Sequence, residues 1–238
     1  MKCLLSVCLI ALLAVAIGHV VEQSANASQD SSAALQKGVS ITMASASNAQ
    51  PMPEADNGDA WIVTVTADGQ LYFGVDPLTP AALQERMIRT PRKRTQRLYI
   101  KADARASFAG VQKALSAASG AEIESPVLLV TQHISPKPGA IVAPEGLEIL
   151  IGPALPAGTV ATVVHLLNSG QQLPLLRVND DDISQSSLES TLRKHFQKGD
   201  DKVILLKADT RLPFGQIVQV IDACRAAGAS VVVATPVV

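Results

Sequence analysis

The sequence predicts an α/β (α+β) protein: two tandem two-layer domains, each a mixed β-sheet with two helices on one face. Three observations carry that prediction. The stretch Leu98-Tyr99-Ile100-Lys101-Ala102-Asp103-Ala104-Arg105-Ala106-Ser107-Phe108 recurs later as Leu205-Leu206-Lys207-Ala208-Asp209-Thr210-Arg211-Leu212-Pro213-Phe214. In both copies an apolar run closes on Asp, which can bond the amides of a turn, so the run reads as a buried strand ending there. The Phe then opens a helical face: Phe214, Ile217, Val218 and Ile221 fall at i, i+3, i+4 and i+7, and Phe108, Val111, Leu115 and Ala118 form the matching face. Finally, Asp68-Gly69 is a strong hairpin turn between Trp61–Thr66 and Leu71–Phe73. A hairpin beside strand–helix–strand crossovers implies a mixed sheet.

The repeat reaches beyond its box. Leu71 to Thr79 lies without gaps over Leu176 to Ser184, and Leu83 and Met87 lie over Leu188 and Leu192. Thr66-Ala67-Asp68-Gly69-Gln70 is answered by Asn168-Ser169-Gly170-Gln171, with a few extra residues in the second copy. Gly38 to Ile41 sits over Gly146 to Ile149, and Val127 to Thr131 over Val231 to Thr235. A two-fold duplication at this spacing is a pair of domains, each large enough to hold a core. The expected division is a first domain over 38–132, a linker over 133–145 and a second domain over 146–238.

Composition narrows the class. The chain has 238 residues, 47% apolar and 17% charged, which makes it globular. A formal net charge of −1 argues against a polyanion partner for the whole molecule, and 3% aromatic content leaves few stacking platforms for single-stranded nucleic acid. Nucleic acid is therefore not an expected partner. After Met1-Lys2, residues 3–18 carry no charge, and Ala25-Asn26-Ala27 offers small residues for cleavage. Residues 1–27 read as a signal peptide or a short membrane anchor. Residues 28–37 read as a polar tether. Cys3 and Cys8 fall in that apolar stretch, and Cys224 reads as a small core residue without a disulfide partner.

In order, the expected elements begin with a short strand over 38–43 and a loop over 44–59. The hairpin follows, then a helix with Thr79 as cap and Pro80 at its first position. A basic loop spans Arg89 to Arg97, and a strand, helix 107–119 and strand 127–131 close the first domain. Pro136, Pro138, Gly139 and Pro144 mark the linker. The second domain repeats the order: strands near 146–151, 160–167 and 173–178, helix 184–196, strand 202–207, helix 213–227 and strand 230–235.

Several residues invite a functional reading. Asp103 and Asp209 close strands and cap turns on the simplest account. Arg105 and Arg211, two residues on, can pair with those carboxylates or grip a ligand; solvated loop charge is the plainer reading. Arg86, Arg89, Arg92, Lys93, Arg94 and Arg97 form the strongest basic cluster. It offers contact with an anionic surface such as cell-wall glycan or phospholipid head groups, or is ordinary solvated loop. Asp180-Asp181-Asp182 lacks the alternation and closing Glu of a calcium loop, and a hairpin end leading into a helix start explains it better. His19, His133, His165 and His195 are scattered, with no Cys or carboxylate at metal spacing. No nucleophile elbow or phosphate-cradling glycine loop is present. No catalytic residue, metal or cofactor is expected, and the chain does not read as an enzyme.

The order of motifs resembles the ExbD/TolR biopolymer-transport family. The run through Val-Thr-Ala-Asp-Gly-Gln-Leu-Tyr-Phe-Gly (65–74), then Pro77-Leu78-Thr79, then Ile100-Lys101-Ala102-Asp103 and Phe108, carries it in the first copy. Lys207-Ala208-Asp209, Phe214-Gly215, Val218, Val220-Ile221-Asp222, Ala227-Gly228 and Val231 to Thr235 carry it in the second. The resemblance implies an accessory protein of an energised envelope transport system, acting through periplasmic domains. It implies an ExbB/TolQ/MotA-like inner-membrane channel protein as partner, coupling to the proton-motive force, and a cell-wall or outer-membrane receptor contact. It makes Lys101, Asp103, Phe108, Lys207, Asp209 and Phe214 structural or partner-facing motif residues. Family members dimerise and carry an Asp in their membrane helix; residues 3–21 here hold no Asp or Glu, and the domain is doubled. The implied alternatives are therefore a single-pass inner-membrane subunit and a free periplasmic binding or scaffold module, and a dimer or an internal pseudo-dimer.

Overall fold

A computed structural model of the chain describes residues 39–93, 96–132, 143–152, 161–171, 173–197 and 202–235. The expectations for residues 1–27 and 28–37, and most of the linker, lie outside these. Gly38–Val238 forms one compact unit.

Its first sheet contains β1 (Ser45–Ala46), β2 (Gln50–Pro51), β3 (Trp61–Val65), β4 (Leu71–Phe73), β5 (Asp76–Leu78), β6 (Leu98–Ala102), β7 (Val127–Gln132) and β8 (Glu145–Glu148). The strand order is β2-β8-β7-β6-β3-β4-β5, with β1 pairing β7. The second sheet contains β9 (Leu150–Gly152), β10 (Thr162–Leu167), β11 (Leu175–Val178), β12 (Asp181–Ile183), β13 (Val203–Ala208) and β14 (Ser230–Ala234), in the order β12-β11-β10-β13-β14-β9. Both sheets are mixed: β3, β6 and β7 run parallel, as do β10, β13 and β14, while β3–β4 and β10–β11 are antiparallel hairpins. Helices α1 (Pro80–Arg89) and α2 (Phe108–Gly120) belong to the first copy, α3 (Leu188–Gln197) and α4 (Phe214–Ala226) to the second. This is the predicted fold class.

The local causes are those read from the sequence. In β6, Leu98, Ile100 and Ala102 join the helix-side core, so Tyr99 and Lys101 take the opposite face by strand alternation. Thr79 accepts a hydrogen bond from the Ala82 amide at 3.2 Å and Pro80 takes the first helical position, fixing the start of α1. Gly69 supplies the positive φ of +82° that the hairpin turn needs. On α4, Phe214, Ile217, Val218 and Ile221 are all essentially buried.

The helix-side core is continuous through both copies. One cluster joins Trp61, Leu83, Phe108 and Leu115 to Leu188, Leu192, Phe214 and Ile217. The copies also share backbone hydrogen bonds. Neither α2 nor α4 has a side-chain cap. Their free N-terminal amides are satisfied by the other copy's loop instead: Phe108 to the Leu212 carbonyl and Ala109 to Thr210, each at 2.8 Å, Phe214 to Ala106 at 2.8 Å and Gly215 to Ala104 at 2.9 Å.

Four details differ from expectation. The strand read over 38–43 is reduced, in the described part, to one isolated antiparallel bridge of Met43 with Asp103: the Thr42 amide and carbonyl turn to Asp103 and Ala104, and ladder pairing starts at Ser45. The strand read over 146–151 is split, with β8 pairing β7 of the first sheet and β9 pairing β14 of the second. The short strands β1 and β2, which lie within the expected loop 44–59, and the edge strands β5 and β12 have no counterpart in the sequence reading. The alignment of Val127 on Val231 also slips by one. Ile100 pairs Leu128 while its counterpart Leu206 pairs Val233, so Leu128 answers Val233. Apolar residues on both faces of β7 and β14 hide the strand phase that normally pins a register.

Candidate functional site

The repeated box builds the same device twice. At the end of β6, the Asp103 amide donates to the Val65 carbonyl at 2.9 Å; at the end of β13, the Asp209 amide donates to Leu166 at 2.9 Å. Each carboxylate then receives the backbone amide two residues on, Arg105 at 3.0 Å and Arg211 at 2.9 Å. The guanidiniums close the turn by bidentate contact: Arg105 Nε and Nη2 lie 2.9 Å from the two Asp103 oxygens, and Arg211 matches them on Asp209 at 3.1 and 2.8 Å. Asp103 and Asp209 are thus turn-closing acids. Arg105 and Arg211 are exposed, yet they pair with these carboxylates rather than standing as free solvated charge, which corrects the plainer reading.

The copies differ in burial. Asp103 is 2% exposed and also accepts the Thr42 amide at 3.1 Å, whereas the Asp209 side chain is 22% exposed. Arg105 holds the Asp103 carboxyl well below the usual carboxylate range against the opposing pull of burial, with the Arg105 and Thr42 amides adding to it. Arg211 lowers Asp209 to about 2. Lys101 donates to the Val39 carbonyl at 3.1 Å and burial pushes its pKa down, while Lys207 is exposed. Phe108 and Phe214 are buried at the first positions of α2 and α4.

The basic loop is largely neutralised. Arg89 pairs with Glu85 at 2.6 Å, Lys93 with Asp59 at 3.6 Å, and Arg97 with Glu148; among the described residues Arg92 reaches only the Gln96 carbonyl, at 3.5 Å. Arg94 lies outside the described residues. Beside this loop opens a cleft of about 860 Å³, with Met52, Glu54, Lys93, Arg97, Tyr99 and Glu148 in its wall. Tyr99, Val127 and Leu129 face away from the helices and are covered by Met52 and Ala55, a small second core. Residues 44–59 read as loop in the sequence, with no apolar period to show that they form this cover. The signal was there in Val127-Leu128-Leu129-Val130, apolar on both faces, which requires both faces to be buried.

Asp180-Asp181-Asp182 sits at a hairpin end just before a helix start, as read: Asp180 lies in the β11–β12 turn, and a 3-10 turn over Gln185–Ser187, capped by Ser184, runs directly into α3. Asp181 and Asp182 lie in edge strand β12, and Asp182 pairs with Arg177. Among the described residues, no three or more His, Cys, Asp or Glu side chains gather where a metal ion could be held. Among the same residues, no helix is long and apolar enough to cross a membrane. Cys224 is buried, and burial raises its thiol to about 12.

No curated protein matches the chain. The family model described as Biopolymer transport protein ExbD/TolR matches residues 26–133 and 141–236, two segments that follow the two copies. With nearly the whole length from residue 26 onward accounted for in the same order as the two sheets, the chain belongs to the ExbD/TolR biopolymer transport family.

Proposed function

We propose that this chain is a non-catalytic accessory subunit of an energised envelope transport system, in which the two repeats work together as one internal pseudo-dimer. In this reading residues 38–132 and 146–238 are the two repeats, the second lending β8 to the first sheet, and both stand in the periplasm beside an ExbB/TolQ/MotA-like channel protein. The family match over both copies supports the transport role. The single observation that carries the pseudo-dimer is the reciprocal capping of α2 and α4 by each other's box loops. Helices whose first two amides are satisfied across the copies are what an interface holds, not what independent beads need. The basic loop offers its cations to cell-wall glycan in competition with Glu85, Asp59 and Glu148.

A second reading keeps the fold and drops the motor. Residues 3–21 contain no Asp or Glu, so a proton-carrying acid of the family type has no place to sit there. A free periplasmic binding or scaffold module follows if residues 1–27 are removed. Affinity capture of the tagged full chain from native membranes, with intact mass and salt-washed membrane fractionation, separates the two. Retention of residues 1–27 with a stoichiometric multi-span protein supports the subunit. A soluble, shortened chain with no such protein overturns it in favour of the free module.

A further inference from the structure

The two copies diverge most visibly at the tip of one hairpin. In the first copy Thr66 and Gln70 face each other, tied by the Thr66 amide to the Gln70 carbonyl at 3.0 Å and by Thr66 Oγ1 to Asp68. That tip lies down on α2, where a Cβ added at Gly110 would come within 3.2 Å of the Gly69 Cα. By strand register the equivalent positions in the second copy are Leu167 and Leu175, paired across β10 and β11, and not Asn168 and Gln171 as the sequence match has it. They are 36% and 37% exposed, and Leu173 just beyond is 62% exposed. From Leu166 to Leu176 the sequence carries no charge. The same fold is built in the first copy without these leucines, so folding alone does not call for them.

The strand registers place a row of basic side chains one pleat behind this tip, on the same face: Lys207 pairs with His165, and His165 with Arg177. Arg177 shares its charge with Asp182, and Asp209 next along β13 is taken up by Arg211, leaving Lys207 exposed. We infer that the β10–β11 tip is a membrane contact, with Leu167, Leu173 and Leu175 entering the head-group boundary of a bilayer and Lys207 meeting its anionic phosphates. An exposed apolar tip backed by a lysine has the chemistry of an interfacial anchor. The three exposed leucines at the tip offer a patch on the order of a few hundred Å². A specific protein interface needs about 1,000 Å². The inference rests on the reading that the chain works at a bilayer, but not on which channel protein stands beside it.

Hydrogen exchange tests it locally, so that any membrane attachment through residues 1–27 does not mask the result. The full chain is placed in nanodiscs of phosphatidylcholine alone, and of phosphatidylcholine with phosphatidylglycerol, and compared with the chain in detergent. Exchange over 166–176 should slow several-fold in the discs, most with phosphatidylglycerol. Leu167→Thr with Leu175→Gln, the residues of the first copy, should abolish the slowing, as should Leu173→Asp alone; unchanged exchange in β13 and α4 shows that these variants fold. Equal exchange over 166–176 with and without lipid overturns the inference. So does protection that survives the leucine substitutions, or that grows with protein concentration in detergent and so marks a contact with another molecule of this chain. Failure here with a channel protein still co-purifying leaves the transport reading standing.

Discussion

Phe108 and Phe214 are bound to each other's loops: the Phe108 amide donates to the Leu212 carbonyl and the Phe214 amide to the Ala106 carbonyl, both at 2.8 Å. Their rings are also members of one continuous apolar cluster. Cooperative unfolding of the two copies follows, and the chain contains its own reporter. Trp61, its single tryptophan, stands in the first sheet with its ring 5.5 Å from Phe73. Phe214→Ala, in the second copy, should cost about 3–5 kcal/mol. It should lower the urea midpoint read by Trp61 fluorescence and by far-UV circular dichroism to the same extent. A fluorescence transition left at the wild-type midpoint would show that the copies unfold separately and would remove the pseudo-dimer.

Gly215 tests the same contact sterically. A Cβ there would lie 3.3 Å from both the Cβ and the carbonyl oxygen of Ala104, across the junction. Gly215→Val should therefore destabilise by about 1–3 kcal/mol through overpacking, and Gly215→Ala by less. Urea titration of the two variants checks the order. Equal midpoints for wild type and Gly215→Val would mean that the box loops do not pack as described.

The acid limb of stability should carry the signature of the two carboxylates. Arg105 favours the ionised form of Asp103, and Arg211 that of Asp209, so each folded-state pKa is depressed. Below about pH 4 the unfolded chain takes up protons that the folded chain still refuses, and stability falls with pH. The Asp209 contribution is present above about pH 4 and lost by about pH 2. The Asp103 contribution goes on falling below that. Asp103→Asn, which imitates the protonated form, should lower stability at neutral pH and flatten the acid limb; Asp209→Asn, more exposed, should do both more weakly. Urea midpoints measured down the acid range decide it, and an Asp103→Asn limb as steep as wild type would contradict the pairing.

What was legible in the sequence was local or repeated. Thr79-Pro80 marks a helix start by itself, Asp68-Gly69 marks a turn by itself, and Phe214, Ile217, Val218 and Ile221 mark a face by spacing. What escaped depends on partners distant in sequence. Leu147, Ile149 and Ile151 alternate like one strand, yet the Ile149 amide bonds the Pro126 carbonyl and the chain passes from one sheet to the other there. Nothing within 145–152 distinguishes its two allegiances. Edge strands such as Asp181–Ile183 are too short and too polar to show a period. The turn-closing role of Asp103 and Asp209 was readable, because Asp bonds the amide two residues on. The bidentate grip of Arg105 and Arg211 was not, because an exposed arginine keeps many rotamers and only the turn geometry selects this one.

Cys224 gives a last check on how tightly the second copy is held. It lies on α4 at 0% exposure, and burial raises its thiol to about 12, so almost no thiolate exists near neutral pH. Alkylation of the native chain by iodoacetamide should leave Cys224 unmodified while urea exposes it, with peptide mass spectrometry reading this site apart from Cys3 and Cys8. Because Phe214 and Cys224 share α4, Phe214→Ala should speed native-state modification in step with its loss of stability, as expected when opening of the helix limits the reaction. Rapid modification of the folded wild-type chain would mean that α4 is not packed as the structure has it. Unchanged kinetics in Phe214→Ala would mean that the Phe214 end of the helix does not govern its opening.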